Sequence, residues 1–397
     1  MSQSLRQDLS LSAVVAGFLA VLISYSGPLL ILFQAATVAG VGPDMIASWV
    51  WGISIGAGLT GLWLSWRLKV PIITAWSAPG SALLVSLFPQ LSLGQMVGAY
   101  LTAAVLLGLI GLSGYFDRLL RLLPKGVAAG MMGGILFQFC SQAFQITATM
   151  PLLAFAMVLV YLLAKRWQPR YAIVWVAGMG LLLATALGLT DFGSMRLVWG
   201  RPIWITPEWD WASTLSLALP LLIVSLTGQF MPGMAVLHLS GYATPARPIL
   251  LGSSLSSIAV ACAGGVTIVL AAITAALCTG KEAHEAADRR YIAGMANGVF
   301  YLFGGLFAGS IVLLFAALPS ALVALLAGLA LIGAMSSNLS MMMAEAEHRE
   351  AAVLAFLVTA SGMVVWGLGA AFWGIVIGVV ASVLFNQTPL RQWLGRG

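Results

Sequence analysis

The side chains that could do chemistry in this chain are neutral polar groups set beside proline and glycine inside apolar segments. The stretch VPIITAWSAPGSALL, residues 70–84, contains Pro71 and Pro79 within a single hydrophobic run. Proline disfavours helix in the residue before it, and the β-branched and aromatic residues 72–76 favour an extended strand. From Ser77 onward the pattern predicts a helix, with Ser77 as its N-cap. Because a helix N-terminus presents unpaired N–H groups and a positive dipole end, the predicted chemistry is anion binding.

A second stretch, GGVTIVLAAITAALC at residues 264–278, repeats this design. Two glycines open it, VTIVL is β-branched, and AAITAALC is helical in character. The two short strands are expected to pair antiparallel at the centre of the membrane, because extended backbone there must find hydrogen-bond partners. A single Pro or Gly in a span is explained by a kink alone. Two breaks at matching places favour a binding site that needs no buried Lys or Arg.

The other candidates are isolated polar residues. Tyr25 and Gln229 each lie near a glycine at equivalent places in the two halves of the chain, although a lone Tyr or Gln more often joins helices than binds a ligand. His238 is a candidate proton relay, and a histidine near the lipid headgroups is an equally good interpretation. The sequence has no Asp, Glu, Lys or Arg in the middle of an apolar segment. An intramembrane enzyme is therefore disfavoured, and no metal or cofactor is predicted.

Composition identifies the protein class to which these segments belong. The chain has 397 residues, of which 61% are hydrophobic and 8% charged, against about 25% charged in soluble domains. This predicts an integral membrane protein in the lipid bilayer. The first apolar run lacks a basic region and a cleavage site, so we expect it to remain as a span. The net charge of +6 comes from basic clusters between apolar runs, which indicates membrane topology rather than nucleic-acid binding.

Fourteen apolar segments can be distinguished, which predicts an all-α polytopic membrane protein. They cover residues 10–38, 45–66, 71–88, 93–116, 124–145, 150–164, 171–189, 212–238, 248–264, 265–279, 291–316, 319–342, 350–366 and 368–386. With a cytoplasmic N-terminus, the inner loops hold 16 of the 18 Lys and Arg residues, and only Arg196 and Arg201 lie outside. The positive-inside rule thus supports fourteen spans with both termini in the cytoplasm.

The two halves of the chain also resemble each other in order. Residues 22–40 align with 223–241, residues 74–84 with 268–278, and residues 122–134 with 317–329. Seven spans in each half would invert the second copy relative to the first. The predicted domains are a first repeat at 1–189, an extracytoplasmic loop at 190–211 and a second repeat at 212–397. Inverted repeats of this kind, with broken helices at the midplane, are typical of secondary transporters.

Four stretches carry a resemblance to a known family, the BenE benzoate:proton symporters. They are SWRLKVPIITAWSAPGSALL (65–84), LAAITAALCTGKEAHEAADRRYIAG (270–294), AALPSALVALLAGLAL (316–331) and AVLAFLVTASG (352–362). The resemblance covers nearly the whole chain, and the string around 278–291 is its most specific part. By itself, that string is a charged cytoplasmic loop, although its His and Glu residues imitate a metal-ligand pattern.

The BenE family is similar to the uracil permease group, which implies fourteen spans in a core and a gate domain. The core would comprise spans 1–4 and 8–11, about residues 10–116 and 212–316. The gate would comprise spans 5–7 and 12–14, about residues 124–189 and 319–386. Carried over by position, the resemblance implies a substrate site in the two strands and in spans one and eight: Tyr25, Thr74, Ala75, Trp76, Ser77, Gln229, Gly265, Val266, Thr267, Ile268 and Val269.

One departure from the uracil permease pattern bears on the substrate. That group has acidic residues in spans eight and ten, where this chain offers Gln229, Val266 and Thr267. A carboxylate in the site would repel benzoate, so its loss suits an anionic substrate and leaves the proton carrier unidentified. We predict a secondary transporter that imports benzoate or a related aromatic carboxylate with protons across a bacterial inner membrane, and we leave a homodimer open. A nucleobase or inorganic-anion transporter of the same fold, and a passive channel, also remain open.

Overall fold

The computed structural model describes residues 8–88, 90–116, 124–145, 150–193, 195–272, 274–344, 346–366 and 368–385, and these are mainly helical. The helices of the first half are α1 (Leu11–Ser26), α2 (Pro28–Val38), α3 (Pro43–Leu68), α4 (Ala78–Leu87), α5 (Leu93–Ser113), α6 (Lys125–Gln145), α7 (Pro151–Trp167) and α8 (Ala172–Ala186). Several begin with proline in the first turn, where its missing N–H costs no hydrogen bond.

The second half follows the same succession of long and short helices. They are α9 (Trp211–Leu239), α10 (Ala246–Ala261), α11 (Ala275–Thr279), α12 (Tyr291–Leu306), α13 (Ala308–Ala316), α14 (Ser320–Ala344), α15 (Arg349–Ala360) and α16 (Ala370–Phe385). Short 3₁₀ turns cover Pro169–Tyr171, Ala287–Arg289 and Ala346–His348. Helix α9 contains two π-helical turns, Thr214–Ala218 and Leu226–Phe230.

Four short strands accompany the helices. Strand β1 (Thr74–Trp76) pairs antiparallel with β2 (Ile268–Leu270), and β3 (Val364–Val365) pairs antiparallel with β4 (Leu368–Gly369). The first pair joins residues nearly 200 positions apart and is wholly buried. It brings the two broken segments together in the interior of the protein.

The structure corrects two of the sequence-derived boundaries. The segment predicted at 291–316 is broken at Phe307 into α12 and α13, which are bent by 70° from one another. The segment predicted at 350–366 is helical only as far as Ala360, and Gly362 follows with φ +66°. Val364 and Val365 then form β3, because β-branched residues after a left-handed glycine favour an extended strand over a further helical turn.

Helix packing separates two groups of elements. In one group, α12 packs on α1 and α3, and α10 packs on α3 and α5. In the other, α6 packs on α14, α15 and α16, and α7 packs on α8. Small residues allow the closest crossings: a Cβ on Gly58 of α3 would lie 2.8 Å from the Gly298 carbonyl oxygen of α12. Close backbone approach through glycine is how helices associate where burial of apolar surface gives little advantage.

Helix length and composition agree with an integral membrane protein. Among the described residues, five helical segments are long and apolar enough to cross a membrane, and the bent pair of α12 and α13 makes a sixth. Four shorter apolar helices, α4, α8, α10 and α16, are too short to meet the same criterion alone. The count of fourteen spans therefore stays a prediction.

Candidate functional site

The two broken segments meet in an antiparallel pair whose register places Thr74 opposite Leu270 and Trp76 opposite Ile268. Backbone hydrogen bonds extend the pair at both ends. The Ser77 N–H donates to the Thr267 carbonyl at 2.9 Å, and the Ala271 N–H donates to the Ile73 carbonyl at 2.8 Å. The pairing satisfies buried polar backbone that would otherwise cost several kcal/mol per group in an apolar medium.

In each half, a serine on the preceding helix forms further hydrogen bonds with the buried backbone of the broken segment. Ser65 of α3 accepts from the Ile72 N–H at 3.1 Å and donates to the Ile72 carbonyl at 3.0 Å. Ser257 of α10 accepts from the Ile268 N–H at 2.8 Å. The two serines are 192 positions apart (257 − 65), close to the repeat offset. Sequence reasoning missed them, and the signal was a buried serine ahead of each break at a matching offset.

The first half-helix, α4, begins at a closed N-cap. The Ser77 hydroxyl accepts from the Gly80 N–H at 3.1 Å, as predicted for an N-cap residue. Pro79 has no N–H, and the Gly80 N–H is bonded to Ser77. In the first turn, the Ala78 N–H therefore remains without a hydrogen-bond partner among the described residues. Ser77 and Thr74 are fully buried, and the Thr74 hydroxyl donates to the Ala57 carbonyl at 2.7 Å. The predicted site residues of this segment are therefore largely engaged within the protein.

The second half-helix is shorter and has no side-chain cap, although the Ala276 and Leu277 N–H groups donate to the carbonyls of Ala272 and Thr274. Helix α11 covers only Ala275–Thr279, and its N-cap residue Thr274 makes no capping hydrogen bond. Gly264 enters the segment at φ +79°, where a Cβ would lie 2.0 Å from Cδ1 of Trp49. Only glycine fits that conformation and that contact. The predicted residues 265–269 are buried, and the Thr267 hydroxyl has no hydrogen-bond partner among the described residues.

An aromatic cluster covers the first strand. The Tyr25 ring stacks on Trp76 with centroids 5.9 Å apart, and Tyr301 of α12 lies 5.8 Å from Tyr25 and 6.0 Å from Trp76. The Tyr25 hydroxyl is bonded to Ser54 at 2.6 Å. Trp76 Nε1 and the Tyr301 hydroxyl are buried without a partner in the described part of the chain. Buried polar groups without a protein partner usually bind a water molecule or a ligand.

Gln229 lies in the second π-helical turn of α9, Leu226–Phe230. π-helical turns occur often at functional sites, because the extra residue redirects neighbouring side chains. The adjacent Gly228 lies close to α6: a Cβ there would be 2.8 Å from Cε of Met132. Tyr25 and Gln229, which the repeat aligns only approximately, thus lie in different surroundings.

A cavity of about 400 Å³ separates α9 and the second broken segment from α6 and α14. It is lined by Lys125, Ala128, Ala129, Thr227, Gly228, Met231, Pro232, Ala272, Gly333, Ala334, Ser337, Asn338 and Met341. The predicted site residues are not among these, although Gly228 adjoins Gln229 and Ala272 follows β2. A volume of this size lies within the range of about 300–1,000 Å³ typical of small-molecule sites.

The side-chain donors of this cavity that remain available lie on α6 and α14. Asn338 uses one amide N–H to reach the Ala334 carbonyl at 2.8 Å and has a second to offer. Ser337 and Lys125 are exposed. The Thr227 hydroxyl already donates to the Ile223 carbonyl at 2.7 Å. No local sequence pattern links Lys125 with Asn338, because only the packing of α6 on α14 brings them together.

Arg290 holds together the loop at residues 278–291, the string that carries the most specific part of the family resemblance. It is 7% exposed, and its guanidinium donates to the carbonyls of Thr279, His284 and Glu285 at 2.7–3.1 Å. Thr279 is the last residue of α11, so the arginine holds the end of the second half-helix. Burial raises the pKa of Tyr242, which keeps its hydroxyl protonated as it donates to the Ala287 carbonyl at 2.8 Å.

The remaining polar residues of that string bind the N-terminal segment. Asp8 lies 3.3 Å from Arg289 and accepts from the Tyr291 hydroxyl at 2.8 Å. The Lys69 ammonium lies 4.0 Å from the centroid of the Tyr291 ring. His284 accepts from the Ala286 N–H at 3.0 Å. The string therefore forms a structural clasp, and no group of three or more metal-ligating side chains occurs among the described residues.

His238 lies in the last turn of α9, 3.5 Å from the Thr244 carbonyl. It is two turns beyond Met231 and does not line the 400 Å³ cavity. Its assignment as a proton relay remains a prediction.

Known proteins of similar sequence share almost the full length of this chain. Residues 7–384 match the family model BenE, described as benzoate membrane transport protein. The chain is 58% identical over 379 residues to the "Benzoate membrane transport protein" of Acinetobacter baylyi, covering 96% of each chain. It is 39% identical over 381 residues to the "Inner membrane protein YdcO" of Escherichia coli, covering 96% of this chain and 97% of that one.

Solved structures share the fold at low identity. SLC26A9 superposes with a TM-score of 0.68 at 15% identity, over 94% of this chain and 65% of that one. The transmembrane domain of the cyanobacterial bicarbonate transporter BicA superposes with a TM-score of 0.56 at 15% identity, over 96% and 98% of the two chains. These likenesses show a helical membrane-transporter fold.

Proposed function

This chain belongs to the BenE family of benzoate membrane transport proteins, and from that premise we propose that it imports benzoate or a related aromatic carboxylate by proton symport. The observation that carries the proposal is the 58% identity, over 96% of both chains, to a protein named for benzoate transport. Membership in a transport family also means that the chain is not an enzyme.

We propose that the substrate carboxylate lies at the N-terminal ends of the two half-helices. The missing side-chain cap at Thr274 and the single spare amide at Ala78 support this position, since helix N-termini bind anions. The aromatic ring would lie against Trp76 and Tyr25, whose stacked rings line the first strand. Gln229 and the strand residues Thr74 to Ser77 and Gly265 to Val269 form the rest of the proposed site.

The cavity between α9 and α14 supports a path from this site to the cytoplasm. Its donors, Lys125, Ser337 and Asn338, suit a carboxylate leaving the centre, and Met231 and Met341 suit an aromatic ring. Lys125 begins α6 and Met341 lies near the end of α14, both at ends predicted to face the cytoplasm.

We propose fourteen spans in two inverted repeats, which move as a core and a gate in an elevator-like cycle. The grouping of α1, α3, α5, α10 and α12 apart from α6, α14, α15 and α16 supports the division at about residues 10–116 and 212–316 against 124–189 and 319–386. The inner membrane, cytoplasmic termini and a homodimer are part of the same proposal. Cysteine labelling of whole cells would test the sidedness.

The function is tested by uptake of labelled benzoate into proteoliposomes. Accumulation driven by an inward proton gradient, and abolished by an uncoupler, is the expected result. Persistent accumulation after the gradient collapses would contradict proton symport, and absence of benzoate counterflow would favour a passive channel. His238→Gln should abolish the response to the proton gradient if His238 is the relay.

The residues of the site are tested separately. Trp76→Ala and Gln229→Ala are expected to lower benzoate uptake while membrane insertion stays normal. Wild-type uptake in both variants would remove these residues from the site. A competition panel of nucleobases, inorganic anions and aromatic acids tests the alternative substrates, for which the fold neighbours alone give no preference.

A further inference from the structure

A second cavity, of about 760 Å³, lies at the opposite end of the molecule. It is formed by the loop after α8, the start of α3 and the helix α13. Its lining includes Arg196 and Arg201, the two basic residues that the charge pattern places outside the membrane. Although they are the only two predicted there, they border the same cavity. They lie five positions apart in one loop, and the path of that loop along α3 and α13 places both at the cavity.

Hydrogen bonds from backbone N–H groups to serine hydroxyls fix the loop two residues after each arginine. The Val198 N–H donates to the Ser310 hydroxyl at 2.8 Å, and the Ile203 N–H donates to the Ser48 hydroxyl at 2.8 Å. The Trp199 ring stacks on Phe307 with centroids 5.0 Å apart, at the bend between α12 and α13. The loop is therefore held against two helices, and the cavity is preformed.

The guanidinium groups of this cavity are free to bind a ligand. Arg196 and Arg201 are exposed, and within the described residues neither guanidinium makes a hydrogen bond or an ion pair, although the Arg196 carbonyl accepts from the Ser310 hydroxyl at 3.3 Å. Asp44 also lines the cavity without being paired to them. The ionisable lining therefore carries two positive charges and one negative charge, and an anion gains from entering.

We propose that the outer cavity, defined by Arg196, Trp199, Arg201 and Val312, is a capture site for aromatic carboxylate anions before transport. A planar guanidinium matches a carboxylate in two parallel hydrogen bonds. Trp199 offers an aromatic face, and Val312 and Leu313 of α13 offer apolar contact to the ring. The choice of ligand rests on the proposed function. A concave, positively charged site raises the local concentration of anions, most strongly at low ionic strength.

The central test measures the KM and maximal rate of benzoate uptake in proteoliposomes at low and high salt. Arg196→Gln combined with Arg201→Gln should raise KM about three- to tenfold at low salt, with an unchanged maximal rate. High salt should raise the wild-type KM to the variant's value.

The double variant Arg196→Lys with Arg201→Lys keeps both positive charges, so it should retain most of the low KM that the wild type shows at low salt. Arg166→Gln, an exposed residue at the end of α7 predicted to face the cytoplasm, is the matched control. Equal KM in the wild type and the double Gln variant at low salt would overturn the capture site.

Two further arms distinguish carboxylate capture from lipid binding and from a failure of transport itself. Liposomes without anionic lipid test whether the arginines bind headgroup phosphate instead; disappearance of the KM difference there would overturn carboxylate capture. Failure of wild-type uptake would refute the proposed function rather than this site. Calorimetric titration of the purified protein with benzoate would then decide, with weaker binding by the double Gln variant expected and equal binding contradicting the proposal.

Discussion

The two broken segments share a strand pair but differ at their half-helices. Helix α4 has ten residues and a closed Ser77 cap, whereas α11 has five residues, no side-chain cap at Thr274, and an arginine at its far end. Ala272 of the second segment lines the 400 Å³ cavity. The comparison shows that the first half-helix begins at a side-chain cap and the second does not, so we propose that the first segment mainly supports the strand pair and the second lies nearer the substrate path.

The largest effect is expected from a pair of glycines that the repeat aligns, Gly27 and Gly228. Gly228 lines the 400 Å³ cavity, and a Cβ there would lie 2.8 Å from Cε of Met132, the far end of a flexible side chain, so Gly228→Leu should cut benzoate uptake at least about tenfold with normal folding. A tenfold change needs only about 1.4 kcal/mol. Uptake is measured in proteoliposomes, and elution on size exclusion reports folding.

Gly27→Leu is expected to act differently, because its Cβ would lie 2.9 Å from Cβ of Ala330 in α14. Loss of thermal stability, rather than of uptake alone, is the expected result. Gly178→Leu, at an exposed position with nothing within 4 Å, is the control and should change neither. Identical behaviour of the Gly27 and Gly228 variants would argue against different roles for the two repeats.

The second-largest effect concerns Arg290, which has a structural role in the second segment. Arg290→Gln removes hydrogen bonds to three carbonyls, and each charged hydrogen bond contributes about 1.5–3 kcal/mol. We expect a lower melting temperature and reduced uptake. Arg290→Lys should recover part of both, since one ammonium cannot reach all three carbonyls. Arg247→Gln, exposed at the start of α10, serves as the control. An unchanged melting temperature in Arg290→Gln would exclude this role.

The smallest effect compares the two N-caps directly. Ser77→Ala should lower the free energy of unfolding by about 1 kcal/mol, because it deletes the bond from the Gly80 N–H. Thr274→Ala should lower it by less than Ser77→Ala does, since Thr274 makes no capping bond. Chemical denaturation in detergent measures both. Equal losses would mean that the second half-helix is capped as firmly as the first.

Much of the fold could be predicted because its signals are local. Pro71 and Pro79 exclude a continuous helix, and the Ser77 cap follows from a serine before a proline and an apolar run. The prediction of an integral membrane protein of the benzoate transport family is confirmed by the family match. The bend at Phe307 was missed although Gly304 and Gly305 precede it, and a glycine pair is a local signal of a kink.

Less of the candidate site than of the fold could be predicted from the sequence. Lys125 and Asn338 each have an ordinary role when considered alone, and only the packing of α6 on α14 joins them in one cavity. Likewise, a serine inside a helix usually bonds its own backbone. Ser65 bonds Ile72 just ahead of β1, and Ser257, besides donating to Ser253 of its own helix, accepts from the first residue of β2. These contacts with the strand segments are tertiary, and no local pattern contains them.

The most direct measurement is protection by benzoate of thiols introduced at the two half-helices. Ala272→Cys and Ala78→Cys are made with Cys262→Ser, since the other native cysteines, Cys140 and Cys278, are buried. Saturating benzoate should slow modification of the Ala272→Cys thiol by a methanethiosulfonate reagent several-fold. It should slow that of Ala78→Cys less, and leave Gly178→Cys unaffected. An Ala272→Cys labelling rate that benzoate does not change would contradict a substrate position at the N-terminal end of α11.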